Sequence, residues 1–194
     1  SMARMIELVI DSVRVSLTNQ QRIVILKELT AERYLPIWIG PYEAEAITIA
    51  LQEVEIARPQ THDLIKNILH TLNARLVRIE ISALKDDVYF ANLLVEVGGE
   101  EVRIDSRPSD AVAVAIRCHV PILAFKEVMD AASITPEEEE PPATPSGAKP
   151  ETASKRTGTA HDRLSIFEDF IDQLDADDNQ KGGQLDADLS LIHI

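Results

Sequence analysis

The chain has 194 residues, 45% of them apolar but only 4% aromatic, so one ordinary domain with an appendage must build its core from Ile, Leu, Val and Ala. No run of 18 apolar residues exists, which excludes a helical membrane span, and SMARMIELVI has neither the hydrophobic stretch nor the cleavage site of a signal peptide; a cytoplasmic protein is expected. The single cysteine, Cys118, excludes a disulfide framework and a cysteine-based zinc site, and a formal charge of −14 argues against a tight, non-specific nucleic-acid binder.

In chain order, MIELVIDSVRVSL (5–17) reads as a half-buried strand, Thr18-Asn19-Gln20-Gln21 as a turn, and RIVILKEL (22–29) as the returning strand of a hairpin. YLPIWIG (34–40) is a third strand, which Pro36 assigns to an edge or an end. Pro41 then suits the first turn of a helix over 42–55, with Glu43 and Glu45 where the helix dipole favours anions. Thr61 is read as the N-cap of a second helix, HDLIKNILHTLN. Residues 75–84 and 88–97 alternate as strands around a Lys85-Asp86-Asp87 turn, and Gly98-Gly99 turns the chain into a returning strand over 100–105. A helix follows from Pro108, then a short buried strand, PILAF (121–125), and a last helical turn or two from Lys126. Hairpins interrupted by helices without a βαβ rhythm predict an α+β fold. The expected sheet is mixed and largely antiparallel, with about three helices packed on it.

Residues 1–135 carry 14 Lys/Arg and 19 Asp/Glu, a net −5; residues 136–194 carry 5 and 14, a net −9. The acidity therefore belongs mostly to the tail, and basic residues clustered in space on the body remain compatible with a weakly binding enzyme. The stretch 136–160 is rich in Pro, Glu, Thr and Ser and is expected to be a disordered linker. Residues 161–180 regain a helical pattern, with Leu164, Phe167, Phe170, Ile171 and Leu174 on one face. The closing LSLIHI fits nothing before it and matches a translated frame of a common sequencing adapter, so 181–194 is expected to be partly artefactual.

Three polar clusters lie at junctions into helices: WIGPYEAE (38–45), RPQTHD (58–63) and DSRPSD (105–110). Each has an ordinary reading as a helix start, with Pro108 as the first helical residue and Asp110 as the third, where exposed N–H groups welcome a carboxylate. That reading leaves Arg107 and Asp105 unexplained, and a buried pair of Arg107 with Asp105 or Asp110 would serve equally as a clamp or a phosphate site. Nothing in capping requires His62, and the unperturbed pKa of an imidazole suits a general base. Two carboxylates from different junctions, such as Glu43 and Asp110, could chelate a hydrated cation if the fold joins them. Cys118 beside His119 is not a nucleophile–base pair, because adjacent side chains on a helix diverge. No phosphate-binding loop, zinc-ligand spacing or dinucleotide fingerprint is present.

Taken in order, LPIWIGPYEAEAI, ARPQTHDLI and EVRIDSRPSDAVAVAIR resemble the bacterial bifunctional nuclease domain family over residues 4–130. The resemblance implies an α+β domain that self-associates, as a homodimer or higher homo-oligomer. It also implies hydrolysis of DNA and RNA without strong sequence specificity, with a divalent metal, Mg²⁺ or Mn²⁺. The family's polar positions fall on Glu43, His62, Asp63, Asp105, Arg107, Ser109 and Asp110. On this reading Asp105 and Asp110 hold the metal or orient water, Arg107 binds the scissile phosphate, and His62 is the base or acid. Glu43, Asp63 and Asp110 are the metal candidates, and Arg58, Ser109 and Trp38 the substrate-binding ones. Trp38 stands where an aliphatic residue is expected and is suited to packing or to stacking on a base. The competing reading is a non-catalytic regulatory or protein-interaction module with an anion site at helix N-termini.

Overall fold

The computed structural model describes residues 4–17 and 19–136. The linker, apart from its first residue, the helical pattern of 161–180 and the closing hexapeptide of the sequence reading lie outside the described residues.

The strands are β1 (Met5–Val15), β2 (Arg22–Glu28), β3 (Tyr34–Ile39), β4 (Ala74–Lys85), β5 (Val88–Val97), β6 (Glu100–Ser106) and β7 (Ile122–Phe125). The helices are α1 (Pro41–Leu51), α2 (Thr61–Thr71), α3 (Pro108–Cys118) and α4 (Lys126–Ala132). The fold is α+β, as the sequence predicts. Two details differ: the last helical turns are long enough to form a fourth helix, and α1 ends at Leu51 rather than near residue 55.

All seven strands form one sheet in the order β3-β2-β1-β7-β4-β5-β6. It consists of two antiparallel meanders, β1-β2-β3 and β4-β5-β6, joined by β7. Strand β7 runs antiparallel to β1 and parallel to β4, the single parallel pairing in this sheet. Hairpin chemistry sets the second meander. Gly98 and Gly99 have φ of +61° and +86°, the backbone that a two-residue turn needs to match the twist of its strands. Pro36 lies on β3, an edge strand, where its missing N–H costs no ladder bond.

Each meander runs from its third strand into a helix that begins with proline, Gly40-Pro41 after β3 and Arg107-Pro108 after β6. Helix α1 packs over β1 and β2, α3 over β4 and β5, and α3 also contacts both α1 and α2. Small residues permit that position: Ala111, Val112, Ala113, Val114 and Ala115 are all at most 1% exposed. They join Leu8, Leu26, Ile47, Ile79, Ile81 and Val95 in a single core. On β4 the alternation of faces turns Glu80 away from Ile79 and Ile81, yet it is fully buried. Its carboxylate accepts from Arg78 Nε at 2.9 Å and Arg103 Nη1 at 2.6 Å, which makes burial of the charge tolerable.

Candidate functional site

Helices α1, α2 and α3 start close together, and each places an acidic residue at its third position: Glu43, Asp63 and Asp110. Exposed N–H groups and the helix dipole favour a carboxylate there. Gly40 precedes α1, and a Cβ at that position would lie 2.1 Å from Glu43 Oε2. Its lack of a side chain therefore leaves room for the Glu43 carboxylate. The cap of α2 is Gln60, not Thr61; the Asp63 carboxylate turns back to accept the Gln60 N–H at 2.9 Å.

Arg107 joins two of the three starts. Its Nε and Nη2 donate to Asp110 Oδ2 and Oδ1 at 2.7 and 3.1 Å, and its Nη1 donates to Glu43 Oε1 at 2.8 Å. The Arg107 side chain is nonetheless 63% exposed, so the expected buried pair is instead a surface fork with its outer edge open to solvent. Asp110 also meets the third start, its Oδ1 lying 2.9 Å from Nε2 of His62. Burial pushes the Asp110 carboxyl up, but the hydrogen bonds from Arg107 and His62 outweigh it and hold the carboxyl below its ordinary value. Asp110 is thus ionised at neutral pH and can only accept. Nε2 of His62 therefore donates to it.

Beneath this surface lies Arg117, a residue the sequence reading passed over. Its side chain is only 6% exposed. Its Nε donates to Asp63 Oδ1 at 2.9 Å, Nη1 to the Ala113 carbonyl at 2.8 Å and Nη2 to the Ala46 carbonyl at 3.0 Å. Burial raises the Asp63 carboxyl, while the Gln60 N–H and Arg117 lower it further than burial lifts it. The available signal was an arginine set within the apolar run AVAVAIRC, where an unpaired guanidinium would be costly to bury.

Of the residues singled out in the sequence, Glu43, His62, Arg107 and Asp110 are thus linked directly, while Asp63 bonds to Gln60 and Arg117 instead. Ser109 is buried under Asp110 at the start of α3. Asp105 is exposed on edge strand β6, opposite Asn92, and its side chain makes no hydrogen bond with the cluster. Arg58 is exposed in the loop before α2, and Trp38 is 36% exposed on β3. Burial pushes the Cys118 thiol up, away from nucleophilic thiolate.

As placed, the three acidic residues do not form a cation site. Glu43 and Asp110 face Arg107, Asp63 faces Arg117, and among the described residues no three His, Cys, Asp or Glu side chains are arranged to hold a metal ion. Among the same residues no helix is long and apolar enough to cross a membrane.

Comparison with known proteins bears on what such a cluster serves. The family described as Bifunctional nuclease domain matches residues 24–137. An uncharacterized protein of Mycobacterium tuberculosis strain H37Rv is 34% identical over 173 residues, covering 89% of this chain and 96% of that protein. Bifunctional nuclease 2 of Oryza sativa subsp. japonica is 31% identical over 112 residues, 56% of this chain and 34% of its own. Bifunctional nuclease 2 of Arabidopsis thaliana is 30% identical over 95 residues, 47% of this chain and 29% of its own. The likeness to the plant proteins therefore covers about a third of their length.

Proposed function

The chain belongs to the bifunctional nuclease domain family, and from that premise we propose that it hydrolyses phosphodiester bonds in both DNA and RNA without strong sequence preference. The observation that carries the proposal is the Asp110–His62 contact of 2.9 Å with the exposed Arg107 fork on the same carboxylate. A capped helix start needs neither the imidazole nor the guanidinium; a phosphoryl-transfer site uses both.

In this reading Arg107 receives the scissile phosphate on its open edge, where a guanidinium matches two phosphate oxygens, and the phosphate displaces Glu43 from Nη1. Asp110 fixes the His62 ring and its tautomer. Nδ1 of His62 takes a proton from the attacking water as the new P–O bond forms. The bond to the leaving oxygen breaks, and that oxygen collects a proton from the imidazolium or from solvent. Arg107 stabilises the charge that spreads over the non-bridging oxygens. No step is routed through a cation, because Asp110 and Asp63 are held by arginines.

The test is cleavage of single- and double-stranded DNA and RNA by the full chain, with Mg²⁺ or with chelator. Arg107→Ala and Asp110→Asn are assayed beside it. The expected result is cleavage of both polymers by the wild type and a loss of about 100-fold or more in each variant, the size typical of removing a charge-stabilising or proton-transfer group. Undiminished cleavage by both folded variants would place the chemistry elsewhere. No cleavage by the wild type under any condition would favour the interaction-module reading.

A further inference from the structure

We infer that Arg117, acting through Asp63, is a positioning residue that sets the direction of the His62 ring toward Asp110. The inference rests on the nuclease reading for its consequence in catalysis, but not for its geometry.

Three observations carry it. First, the three nitrogens of the Arg117 guanidinium go to three helices: Nε to Asp63 on α2, Nη2 to the Ala46 carbonyl on α1 and Nη1 to the Ala113 carbonyl on its own helix α3. Ala46 lies three residues after Glu43, and Ala113 three after Asp110. One buried cation therefore ties together the turns that present the site. Second, α2 packs on α3 and β4 but buries few of its own side chains. His62 is its only buried residue, while Leu64, Ile68 and Leu72 are 52%, 47% and 67% exposed. Ile65 and Leu69 reach the core only partly. The rotation of α2 about its axis is accordingly set jointly by these apolar contacts and, near its start, by the Asp63–Arg117 and His62–Asp110 contacts.

Third, Asp63 is doubly held. One oxygen caps α2 through the Gln60 N–H and the other receives Arg117. Its neighbour His62 is thereby fixed in azimuth, because successive side chains on a helix are separated by about 100°. A lysine at position 117 supplies charge but no planar fork, and cannot reproduce three directed bonds to three helices. Arg117 spends all three guanidinium nitrogens on protein groups, which separates its role from that of the open Arg107.

The experiment uses the full chain with Arg117→Lys, Arg117→Met and Asp63→Asn. Thermal unfolding identifies the variants that fold, and Asp63→Asn, close in volume to the native residue, secures the test if both Arg117 variants do not. Two readouts follow: kcat and KM on DNA and RNA oligonucleotides, and the His62 ring resonances by NMR at fixed pH, assigned with His62→Gln. The expected result is a shifted His62 ring resonance and a kcat lowered by about 100-fold with KM changed less than about threefold, as small misplacement of a reacting group produces. In the His62→Gln background Arg117→Lys should lower kcat by less than about threefold more, because residues acting through one group are not additive. An unchanged His62 resonance in a folded variant overturns the inference, as does a full additional loss in the His62→Gln background. If the wild type cuts neither polymer, the nuclease reading falls while the His62 resonance still decides the positioning role.

Discussion

Arg107 and Arg117 sit ten residues apart, and both reach carboxylates at the starts of the three helices, yet one is 63% and the other 6% exposed. Capping rules left Arg107 without a purpose, which is why the sequence marked it as a candidate. Arg117 resembled an ordinary basic residue near a helix C-terminus, where the dipole welcomes it. Its real partners come from chain segments 54 and 71 residues away, and no local pattern encodes that distance. Asp105 shows the opposite failure. It opens the DSRPSD motif, but it is exposed on edge strand β6 and its side chain makes no hydrogen bond with the cluster. The residue scale also fixes a pH dependence. Asp63 and Asp110 have folded-state values below their ordinary 3.8, so the stability they contribute is present above that value and lost as pH falls through the folded one. Asp110→Asn should therefore be less stable than wild type at neutral pH, and its stability should fall less between about pH 5 and pH 2. Urea unfolding across that range checks this; parallel curves for the two proteins would contradict it.

Among the elements, α3 was read correctly from its first residue, because Pro108 and the Ala/Val series agree on the same start and the same burial. Boundaries set by weaker signals moved. Thr61 became the first residue of α2 once Asp63 bonded to the Gln60 backbone, and α1 stopped four residues early. The parallel β4–β7 pairing was not legible either, since only the return of α3 across the sheet brings β7 between the meanders. The small side chains of α3 are what let it contact α1, α2 and the sheet together. Ala113→Leu adds three carbons at a position with no exposed surface, beside the carbonyl that binds Arg117. The expected cost is about 1–3 kcal/mol, measured by denaturant unfolding, with loss of activity beyond what the unfolded fraction explains. A neutral effect would mean that the helix has room to shift without disturbing the site.

For the molecule as a whole, the charge of residues 1–135 is −5, so attraction to nucleic acid has to be local rather than general. The site offers Arg107, with Arg58 exposed in the loop before α2. Two phosphate contacts give a slope of about −2 in log affinity against log salt, far shallower than that of a basic binding protein. A slope steeper than about −5 would place most of the binding outside this cluster. Composition argued only against a tight, non-specific binder, and in the proposed reading the meeting of three helix starts is where a phosphate is received. The central claim is that His62 and Asp110, brought from α2 and α3, work as one proton-transferring unit beneath Arg107. It is tested most directly by single-turnover cleavage of one DNA and one RNA oligonucleotide with wild type, His62→Gln, Asp110→Asn and the double variant, all shown to be folded. The account predicts that each single variant loses about 100-fold and that the double variant loses little more. Cleavage by His62→Gln at the wild-type rate, or losses that multiply in the double variant, would contradict it.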